Sequence, residues 1–388
     1  MSNLSYLEKL LDGVEVEWLP LKEVLVRTKG TKITAGQMKV LHKDGAPLKI
    51  FAGGKTVAFV DFNDIPEKDV NREPSIIVKS RGVIEFEYYE KPFSHKSEMW
   101  SYYSDNDAIH IKFIYHFLKL HERHFQGIGS RMQMPQIATP DTDKFLVPIP
   151  CPDNPEKSLA IQAEIVRILD AFTAMTAELT AELNMRKKQY NYYREKLLAS
   201  ELPSSKTATL GEILDMRAGK HIKAKDISAI KNAEHKYICF GGNGSRGFVQ
   251  EYSHEGDYSL IGRQGALCGN VKRAKGKFYA TEHAVVCTPK EEIDIDWAFH
   301  MLTFMNLNQY KSQSAQPGLA VGNLANLTIN VPTISEQRKI AKILNKFDTL
   351  TTSLQEGLPR EIELRQKQYE YYRDLLLSFP KPHSDETA

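Results

Sequence analysis

The clearest alternation of apolar and polar positions in this chain lies in residues 160–198. No glycine or proline occurs between Ala160 and Leu198. Apolar residues recur there at alternating intervals of four and three, the spacing of a coiled-coil seam. The seam residues are Ile161, Ile165, Ile168, Phe172, Met175 and Leu179. This pattern predicts a helix about 60 Å long, at about 1.5 Å per residue.

A tandem repeat interrupts the heptad phase of the predicted helix. The sequence Thr-Ala-Glu-Leu occurs twice in succession at residues 176–183, so that Leu183 continues the apolar series. A four-residue insertion of this kind changes the local supercoil without breaking the helix. We therefore predict that the central helix is continuous.

Much of this helical segment occurs a second time near the C-terminus. Residues 162–172 match 337–347, and residues 186–198 match 365–377, with Tyr-x-Tyr-Tyr-Arg in both closing parts. The offset changes from 175 to 179, so the C-terminal copy is four residues longer, and Gly357-Leu358-Pro359 predicts a helix end and a new start. Its seam residues are Ile340, Ile343 and Phe347, and a fragment of the closing motif also occurs at residues 5–11. Such repeats indicate the architecture of a whole chain.

Weaker matches relate the regions outside the helices and keep their order along the chain. They pair 21–25 with 210–214, 50–53 with 239–242, 80–83 with 263–266, 109–116 with 293–300, and 147–150 with 329–332. Short β-branched runs alternate there with glycine-rich turns, whereas 109–120 and 295–304 have helical spacing. The pattern predicts two variable domains of mixed α+β structure.

These observations divide the chain into six parts. They are a fragment of the helical repeat at 1–12, a variable domain at 13–155, a helical spacer at 156–204, a second variable domain at 205–332, a C-terminal helical repeat at 333–379 and a flexible tail at 380–388. A plain dimerisation coiled coil is an alternative for the helices. Two copies in one chain can instead pair with each other antiparallel, which favours an intramolecular, pseudo-two-fold arrangement.

Composition is that of an ordinary globular protein with two or three domains. The 388 residues are 41% hydrophobic and 26% charged, and the formal net charge of +2 indicates no partner by itself. The four cysteines form no close-spaced pair typical of zinc sites or disulfide frameworks. No apolar run reaches the length of a membrane span and no signal-peptide pattern is present, so we expect a cytoplasmic protein.

No complete catalytic motif is present in the sequence. Residues 240–244 match the Phe-x-Gly-x-Gly of S-adenosylmethionine-dependent methyltransferases, but the Asp/Asn-Pro-Pro-aromatic motif that holds a target base is missing. A glycine-rich turn is the favoured interpretation, and a DNA methyltransferase is the alternative. Gly53-Gly54-Lys55-Thr56 lacks the first glycine of a phosphate-binding loop, because Lys49 occupies that position. The histidines lack metal-ligand spacing, so we expect neither catalysis nor metal binding.

Basic residues are concentrated in the N-terminal portion of each half. Residues 22–55 include eight Lys or Arg and two acidic residues. Residues 215–277 include twelve Lys or Arg and six acidic residues. Arg and Lys beside glycine-rich turns suit contacts with DNA phosphates and guanine edges, although any one of them could belong to a solvated surface. The candidate DNA-binding residues are Lys29, Lys32, Lys55, Lys79, Arg81, Lys220, Lys223, Lys225, Arg246, Arg263, Lys272 and Arg273.

Two variable domains, separated and followed by similar helical repeats, resemble the specificity (HsdS) subunits of type I restriction–modification enzymes. The Thr-Ala-Glu-Leu tandem and the Gln-Lys-Gln-Tyr-Glu-Tyr-Tyr-Arg segment at 366–373 resemble the IC-type branch in particular. The resemblance covers essentially the whole chain. The four-residue difference between the helical copies means that the two-fold symmetry is imperfect.

This resemblance implies a non-catalytic subunit whose two variable domains each recognise half of a bipartite target in double-stranded DNA. It implies that the helical repeats form an antiparallel coiled coil that sets the half-site separation and docks two modification (HsdM) subunits. Motor and nuclease (HsdR) subunits would join them. S-adenosylmethionine, ATP and Mg would bind to the partner subunits. A scaffold without DNA binding remains an alternative function.

Overall fold

The structure is a computed structural model that describes residues 9–10, 13–130, 133–199, 204–265, 267–313 and 317–380. Residue contacts divide the chain into two units, Met1–Glu178 with Glu363–Ala388, and Leu179–Ile362. Each unit thus contains one variable domain, the start of one helical repeat and the end of the other. The predicted fragment at 1–12 lies outside the described residues except for positions 9 and 10, and the predicted tail does so except for Pro380.

The first unit is built from short strands that form two sheets and a separate strand pair. The strands are β1 Val16–Pro20, β2 Val26–Lys29, β3 Leu48–Phe51, β4 Val57–Val60, β5 Ser75–Lys79, β6 Glu85–Tyr89, β7 Phe93–His95, β8 Trp100–Tyr103 and β9 Leu146–Pro150. The sheets have the orders β2-β8-β5-β6 and β4-β3-β7, with β3 and β7 parallel, and β1 pairs antiparallel with β9. The helices are α1 Leu21–Val24, α2 Ala35–Leu41, α3 Ile111–Leu120, α4 Glu122–Gly129, α5 Thr139–Asp143 and the first part of α6 Pro155–Ala199.

The second unit joins most of its strands into one sheet. Its strands are β10 Lys206–Thr209, β11 Leu214–Ala218, β12 Tyr237–Gly241, β13 Gly244–Val249, β14 His254–Gly262, β15 Val271–Ala280, β16 Ala284–Pro289 and β17 Thr328–Val331. The sheet has the order β11-β16-β14-β15-β12-β13, and β10 pairs antiparallel with β17. The helices are α7 Leu210–Ile213, α8 Ile295–Phe304, α9 Val321–Ala325, α10 Ile334–Thr352 and α11 Leu358–Leu376, of which only the start belongs to this unit.

Strand pairing shows that the two units have related topologies. In the second unit, the long strand β15 pairs antiparallel with β14 and parallel with β12. In the first unit two shorter strands make the corresponding pairings. Strand β6 pairs antiparallel with β5, and β7 pairs parallel with β3. The helices α3 and α8, which the sequence predicts, occupy matching places in the order of elements. The prediction of two related α+β domains is confirmed.

The helical repeats complete the hydrophobic core of each variable domain. In the first unit, Ile165 and Leu169 of α6 and Leu376 of α11 belong to the same buried cluster as Phe113 and Phe117 of α3. The second unit has an equivalent cluster, in which α10 and the end of α6 pack with α8: Ile340, Leu344, Leu198, Trp297 and Met301. Because burial of apolar area is the main stabilising term in folding, neither domain has a complete core without both helices.

A buried histidine also joins each domain to its helix. The Nε2 atom of His116 on α3 lies 3.1 Å from Oδ1 of Asp170 on α6. In the second unit, Nε2 of His300 on α8 lies 2.8 Å from Oδ1 of Asn345 on α10. The same polar contact is thus made twice, with a carboxylate in one unit and a neutral amide in the other.

The buried stripe of the helices differs from the predicted coiled-coil seam. Ile161, Ile165 and Leu169 are buried at intervals of four, whereas Ile168 is half-buried and Met175 is exposed. Ile343 is likewise exposed. The assignments of Met175 and Ile343 to the seam are therefore wrong. The domains pack against the side of the helices on which residues recur at intervals of four, so Leu169 and Leu344 belong to the buried clusters. The other seam residues are buried or half-buried: Ile340, Phe347, Phe172, Leu179 and Leu183.

The continuous central helix and the broken C-terminal copy are both confirmed. Helix α6 has 45 residues, and the Asn154 side chain accepts a hydrogen bond of 3.0 Å from the Lys157 backbone at its start. In the C-terminal copy, α10 ends at Thr352 and α11 begins at Leu358, next to the predicted break at Gly357 and Pro359. The four extra residues of this copy are thus accommodated where the helix is interrupted.

Candidate nucleic-acid interface

In the first unit, the ends of several strands meet at one edge of the domain. A Cβ atom on Gly30 would collide with the carbonyl oxygens of His95 and Lys96, so only glycine allows this close approach of two backbones. The backbone N–H of Lys96 donates to the carbonyl of Phe51 at 2.9 Å, which brings the β3–β4 turn to the same edge. The exposed basic residues of these segments are Lys29, Lys32 and Lys55.

The loop after β5 joins this edge. The Ser80 hydroxyl donates to the carbonyl of Glu98 at 2.7 Å, and the Gly82 backbone donates to Pro135 at 2.9 Å. Burial acts to raise the pKa of the Glu98 carboxyl, but a hydrogen bond from Lys96 and the positive charge of Arg81 hold that pKa below its usual value. Arg81 is therefore an exposed cation close to Lys96 and Glu98.

The second unit assembles the matching loops with the same contacts. A Cβ atom on Gly219 would collide with the carbonyls of Ala280 and Thr281, just as a Cβ atom on Gly30 would collide with those of His95 and Lys96. The Gly265 backbone donates to Pro317 at 3.0 Å, the counterpart of the bond from Gly82 to Pro135. The Arg263 backbone donates to His283 at 2.8 Å. The same loop edge thus exists twice in the chain.

The β12–β13 turn adds polar side chains to the edge of the second unit. Asn270 Nδ2 lies 3.4 Å from Asn243 Oδ1, and the Lys272 side chain reaches Gly244 in the same turn. The aliphatic part of Arg246 packs against Gly241. Residues 240–244 therefore form a hairpin turn between two antiparallel strands, as the glycine-rich interpretation predicts.

Most of the predicted DNA-binding residues in the second unit have exposed side chains. Lys220 follows the close approach at Gly219, and Arg246 and Lys272 flank the β12–β13 turn. Lys223 and Lys225 lie farther along, at the short 3-10 helix Ala224–Asp226. Arg263 is half-buried, and its Nε donates to the carbonyl of Leu319 at 3.3 Å, which holds the loop in place.

Two of the predicted DNA-binding residues must be corrected. The Nζ atom of Lys79 lies 2.6 Å from Glu85 Oε1 and 2.8 Å from Glu87 Oε2, with only 6% of its side chain exposed. Burial acts to lower the pKa of Lys79, but these two carboxylates raise it above its usual value. Its charge is neutralised by these carboxylates inside the protein, so Lys79 is removed from the candidate set.

Arg273 is the second correction. It lies on the same strand as Lys272, but its Nη2 atom is 2.8 Å from Asp257 and 2.6 Å from Asp296, and 15% of its side chain is exposed. Asp257 lies on β14 and Asp296 on α8, so the guanidinium ties the sheet to the helix. A cation held between two carboxylates in this way is unavailable to a DNA base.

An aromatic contact links the two helical repeats in each unit, and an exposed tyrosine adjoins it. Phe172 stacks on Tyr372 at 5.2 Å in the first unit, and Phe347 stacks on Tyr193 at 5.6 Å in the second. The preceding residues are exposed, Tyr192 by 58% and Tyr371 by 65%. The repeats therefore present two copies of the same exposed aromatic surface.

Comparison with known proteins identifies the family. The family described as "Type I restriction modification DNA specificity domain" matches residues 21–186 and 204–364. The chain belongs to this family. It is 49% identical to the EcoprrI specificity subunit of Escherichia coli, over 92% of this chain and 93% of that one. It is also 39% identical to the EcoR124I/EcoR124II specificity subunit of the same species, over 99% of both chains.

Solved structures agree with this assignment at the level of the fold. The S subunit of a type I restriction–modification system from M. genitalium superposes with a TM-score of 0.69 at 17% identity, over 95% of this chain and 98% of that one. A structure described as addressing complex assembly and conformational transition of a type I system has a TM-score of 0.52 at 14% identity, over 93% and 97%. The specificity-subunit fold is thus found over almost the whole chain.

Sequence reasoning missed several residues at the loop edges of this specificity-domain protein. They are Lys96, Asn243, Gln264, Asn270 and His283. Lys96 and His283 lie on loops that reach the edge only because nonadjacent strands pair there. The match between 80–83 and 263–266 was a signal for Gln264, but a search for basic residues alone passes over amides, which also bind base edges.

Other site types find little support in the described part of the chain. No group of three His, Cys, Asp or Glu residues there could hold a metal ion. The four cysteines are free and buried. None of the described helices combines the length and apolar character that crossing a membrane requires.

Proposed function

We propose that this protein is the DNA specificity subunit of a type I restriction–modification enzyme, acting on double-stranded DNA in the cytoplasm. The observation that carries the proposal is the duplicated loop edge, which in both units presents exposed Lys and Arg beside glycine-rich turns. Such surfaces bind phosphates through their charge and bases through their hydrogen-bonding groups. The names of the relatives, all specificity subunits, support the same function.

In this proposal, each variable domain recognises one half of a bipartite target. The edge of the first unit would use Lys29, Lys32, Lys55 and Arg81. The edge of the second would use Lys220, Lys223, Lys225, Arg246, Arg263 and Lys272. The two sets differ in sequence although the loops match, which suits two domains that recognise different bases. The corrected residues Lys79 and Arg273 take no part.

The helical repeats would form an antiparallel coiled coil that separates the half-sites. The aromatic stacks support this arrangement, because in each unit the start of one repeat meets the end of the other. Helix α6 belongs partly to each unit, so its length would determine the separation of the half-sites.

The partners would be two modification subunits, joined by motor and nuclease subunits. The duplicated surface around Tyr192 and Tyr371 favours two copies of one partner, because the same chemistry is presented twice. Tyrosine is enriched among residues that dominate the binding energy of interfaces. S-adenosylmethionine, ATP and Mg would bind to those partner subunits, since this chain has no complete motif for any of them.

The decisive experiment produces this chain with its modification partner in cells and maps methylated adenines across the genome. We expect a single two-part motif with a fixed gap. Exchanging residues 13–155 for the corresponding domain of a relative should change one half of that motif and leave the other. An unchanged motif after the exchange, or methylation of DNA by the purified chain alone, would contradict the proposal.

A further inference from the structure

A buried glutamine side chain fastens α6 to the backbone of the first variable domain. Gln162 is 0% exposed and lies near the start of the helix. Its Oε1 accepts a hydrogen bond of 2.9 Å from the backbone N–H of His110, and its Nε2 donates to the carbonyl of Ala108 at 3.1 Å. The segment at 108–110 leads directly into α3. One amide thus holds the backbone on both sides of a single residue.

The second unit repeats this contact. Gln337 near the start of α10 is 1% exposed. Its Oε1 accepts a hydrogen bond of 2.8 Å from the backbone N–H of Asp294, and its Nε2 donates to the carbonyl of Glu292 at 3.1 Å. The segment at 292–294 leads directly into α8. Gln162 and Gln337 are also equivalent positions of the helical repeat.

The two glutamines bind main-chain atoms only in the domains that they hold. The segments concerned differ in sequence, Ala-Ile-His in one unit and Glu-Ile-Asp in the other. The hydrogen bonds are nevertheless the same, because every residue except proline offers an N–H and a carbonyl. The contact is therefore independent of the sequence of the variable domain.

These bonds supply what the surrounding core cannot. Apolar contacts are non-directional, so a helix that rests on them alone can rotate or slide slightly at little cost. A pair of hydrogen bonds to one short backbone segment requires particular distances and angles. A small rotation of the helix about its axis would break both bonds and leave buried polar groups unsatisfied.

We propose that Gln162 and Gln337 are positioning residues that fix each variable domain in one rotational setting on its helix, and thereby restrict the DNA target to one gap between half-sites. This inference rests on the proposed function, in which the helices separate two recognition domains. Because the glutamines bind backbone alone, the same setting is kept when a variable domain of another sequence takes that place.

The test compares Gln162→Leu and Gln337→Leu with the wild-type chain, each co-produced with the modification partner. Genome-wide methylation maps give the half-site sequences and the distribution of gaps. We expect unchanged half-sites, with methylation at gaps one base pair longer or shorter rising roughly thirtyfold, the factor that corresponds to two hydrogen bonds of about 1 kcal/mol each. The control is Ile50→Val on β3, which weakens a separate buried cluster of the first unit that contains no residue of α6.

The outcomes separate this inference from the proposed function. Gap distributions as narrow as the wild type in assembled Gln162→Leu and Gln337→Leu complexes would overturn the inference alone, as would equal broadening in Ile50→Val. Should the leucine variants fail to assemble, Gln162→Met and Gln337→Met decide, because the unbranched thioether keeps the length of the glutamine side chain but cannot donate to the carbonyl of Ala108 or Glu292. Narrow gaps in these would also overturn it. A wild-type map without a two-part motif would overturn the proposed function itself.

Discussion

At the scale of single residues, Lys272 and Arg273 show how the environment decides the role of a basic side chain. Successive residues of a strand point to opposite faces. Lys272 is consequently exposed beside the β12–β13 turn, whereas Arg273 lies between Asp257 and Asp296. The sequence shows two adjacent cations. Their surroundings leave Lys272 available to the proposed DNA interface, whereas Arg273 is held in ion pairs within the protein.

We predict opposite effects of removing these two cations. Arg273→Ala should lower the free energy of unfolding by roughly 3 kcal/mol, because two partly buried carboxylates lose their counterion. Lys272→Ala should change it by less than about 0.5 kcal/mol. Denaturant unfolding of the purified chains measures both values. Lys272→Ala should instead weaken DNA binding by the assembled complex and flatten its salt dependence. Equal stability losses in the two variants would contradict the prediction.

His300 should make the stability of the chain depend on pH. Burial holds the pKa of this imidazole below its usual value of 6.5, an effect that the hydrogen bond with Asn345 only partly offsets. The folded state therefore binds fewer protons at His300 than the unfolded chain does. The contribution of His300 to the free energy of unfolding is therefore fully present above pH 6.5 and is lost as the pH falls below that value.

The variant His300→Gln tests this prediction, because glutamine can still donate to Asn345 but does not titrate. Its melting temperature should fall less steeply than that of the wild type between about pH 7 and pH 5. His116→Gln should act in the same direction in the first unit, where burial also lowers the pKa of the histidine. Slopes identical to the wild type in both variants would show that neither histidine contributes.

At the scale of elements, the length of α6 is the feature with the largest expected consequence. Inserting a further Thr-Ala-Glu-Leu after Leu183 lengthens the helix by about 6 Å and rotates the rest of the helix by about 40°. One base pair of B-DNA is about 3.4 Å and about 35°. Rotation should dominate, because a loop edge turned away from the groove contacts no bases. We predict the same half-sites with a gap one base pair longer.

The matched control inserts two residues at the same place. That change rotates the C-terminal part of the helix by about 200°, so specific methylation should disappear. Genome-wide methylation mapping of both variants gives the answer. An unchanged gap in the four-residue variant would mean that α6 does not set the separation of the half-sites.

At the scale of the whole molecule, the duplicated tyrosines predict the stoichiometry of the assembly. Tyr192→Ala and Tyr371→Ala should each weaken one of two modification-subunit sites by about tenfold or more, since exposed aromatic anchors carry much of the binding energy of interfaces. Native mass spectrometry at limiting concentration should show one bound subunit for each single variant and none for the double. Tyr310→Ala, at an exposed tyrosine outside the helical repeats, should retain two. Loss of both subunits in a single variant would contradict two separate sites.

The sequence by itself determined the duplicated architecture. The order of matching segments, the continuous α6 and the break near Gly357 depend on local spacing and helix-breaking residues, which are visible without tertiary contacts. The α+β character of the domains and the glycine-rich turn at 240–244 were also local properties. The two variable domains and the helical repeats that separate and follow them were enough to suggest the family.

Only the tertiary structure decided which side chains are available and which positions the buried face contains. Lys79 and Arg273 look like DNA-binding residues until the carboxylates from other parts of the chain are placed beside them. Met175 and Ile343 fit a two-helix seam, but packing against a whole domain buries Leu169 and Leu344 instead. The hydrogen bonds of Gln162 and Gln337 join residues more than forty positions apart. Local spacing carries no record of such partners, because only the folded chain brings them into contact.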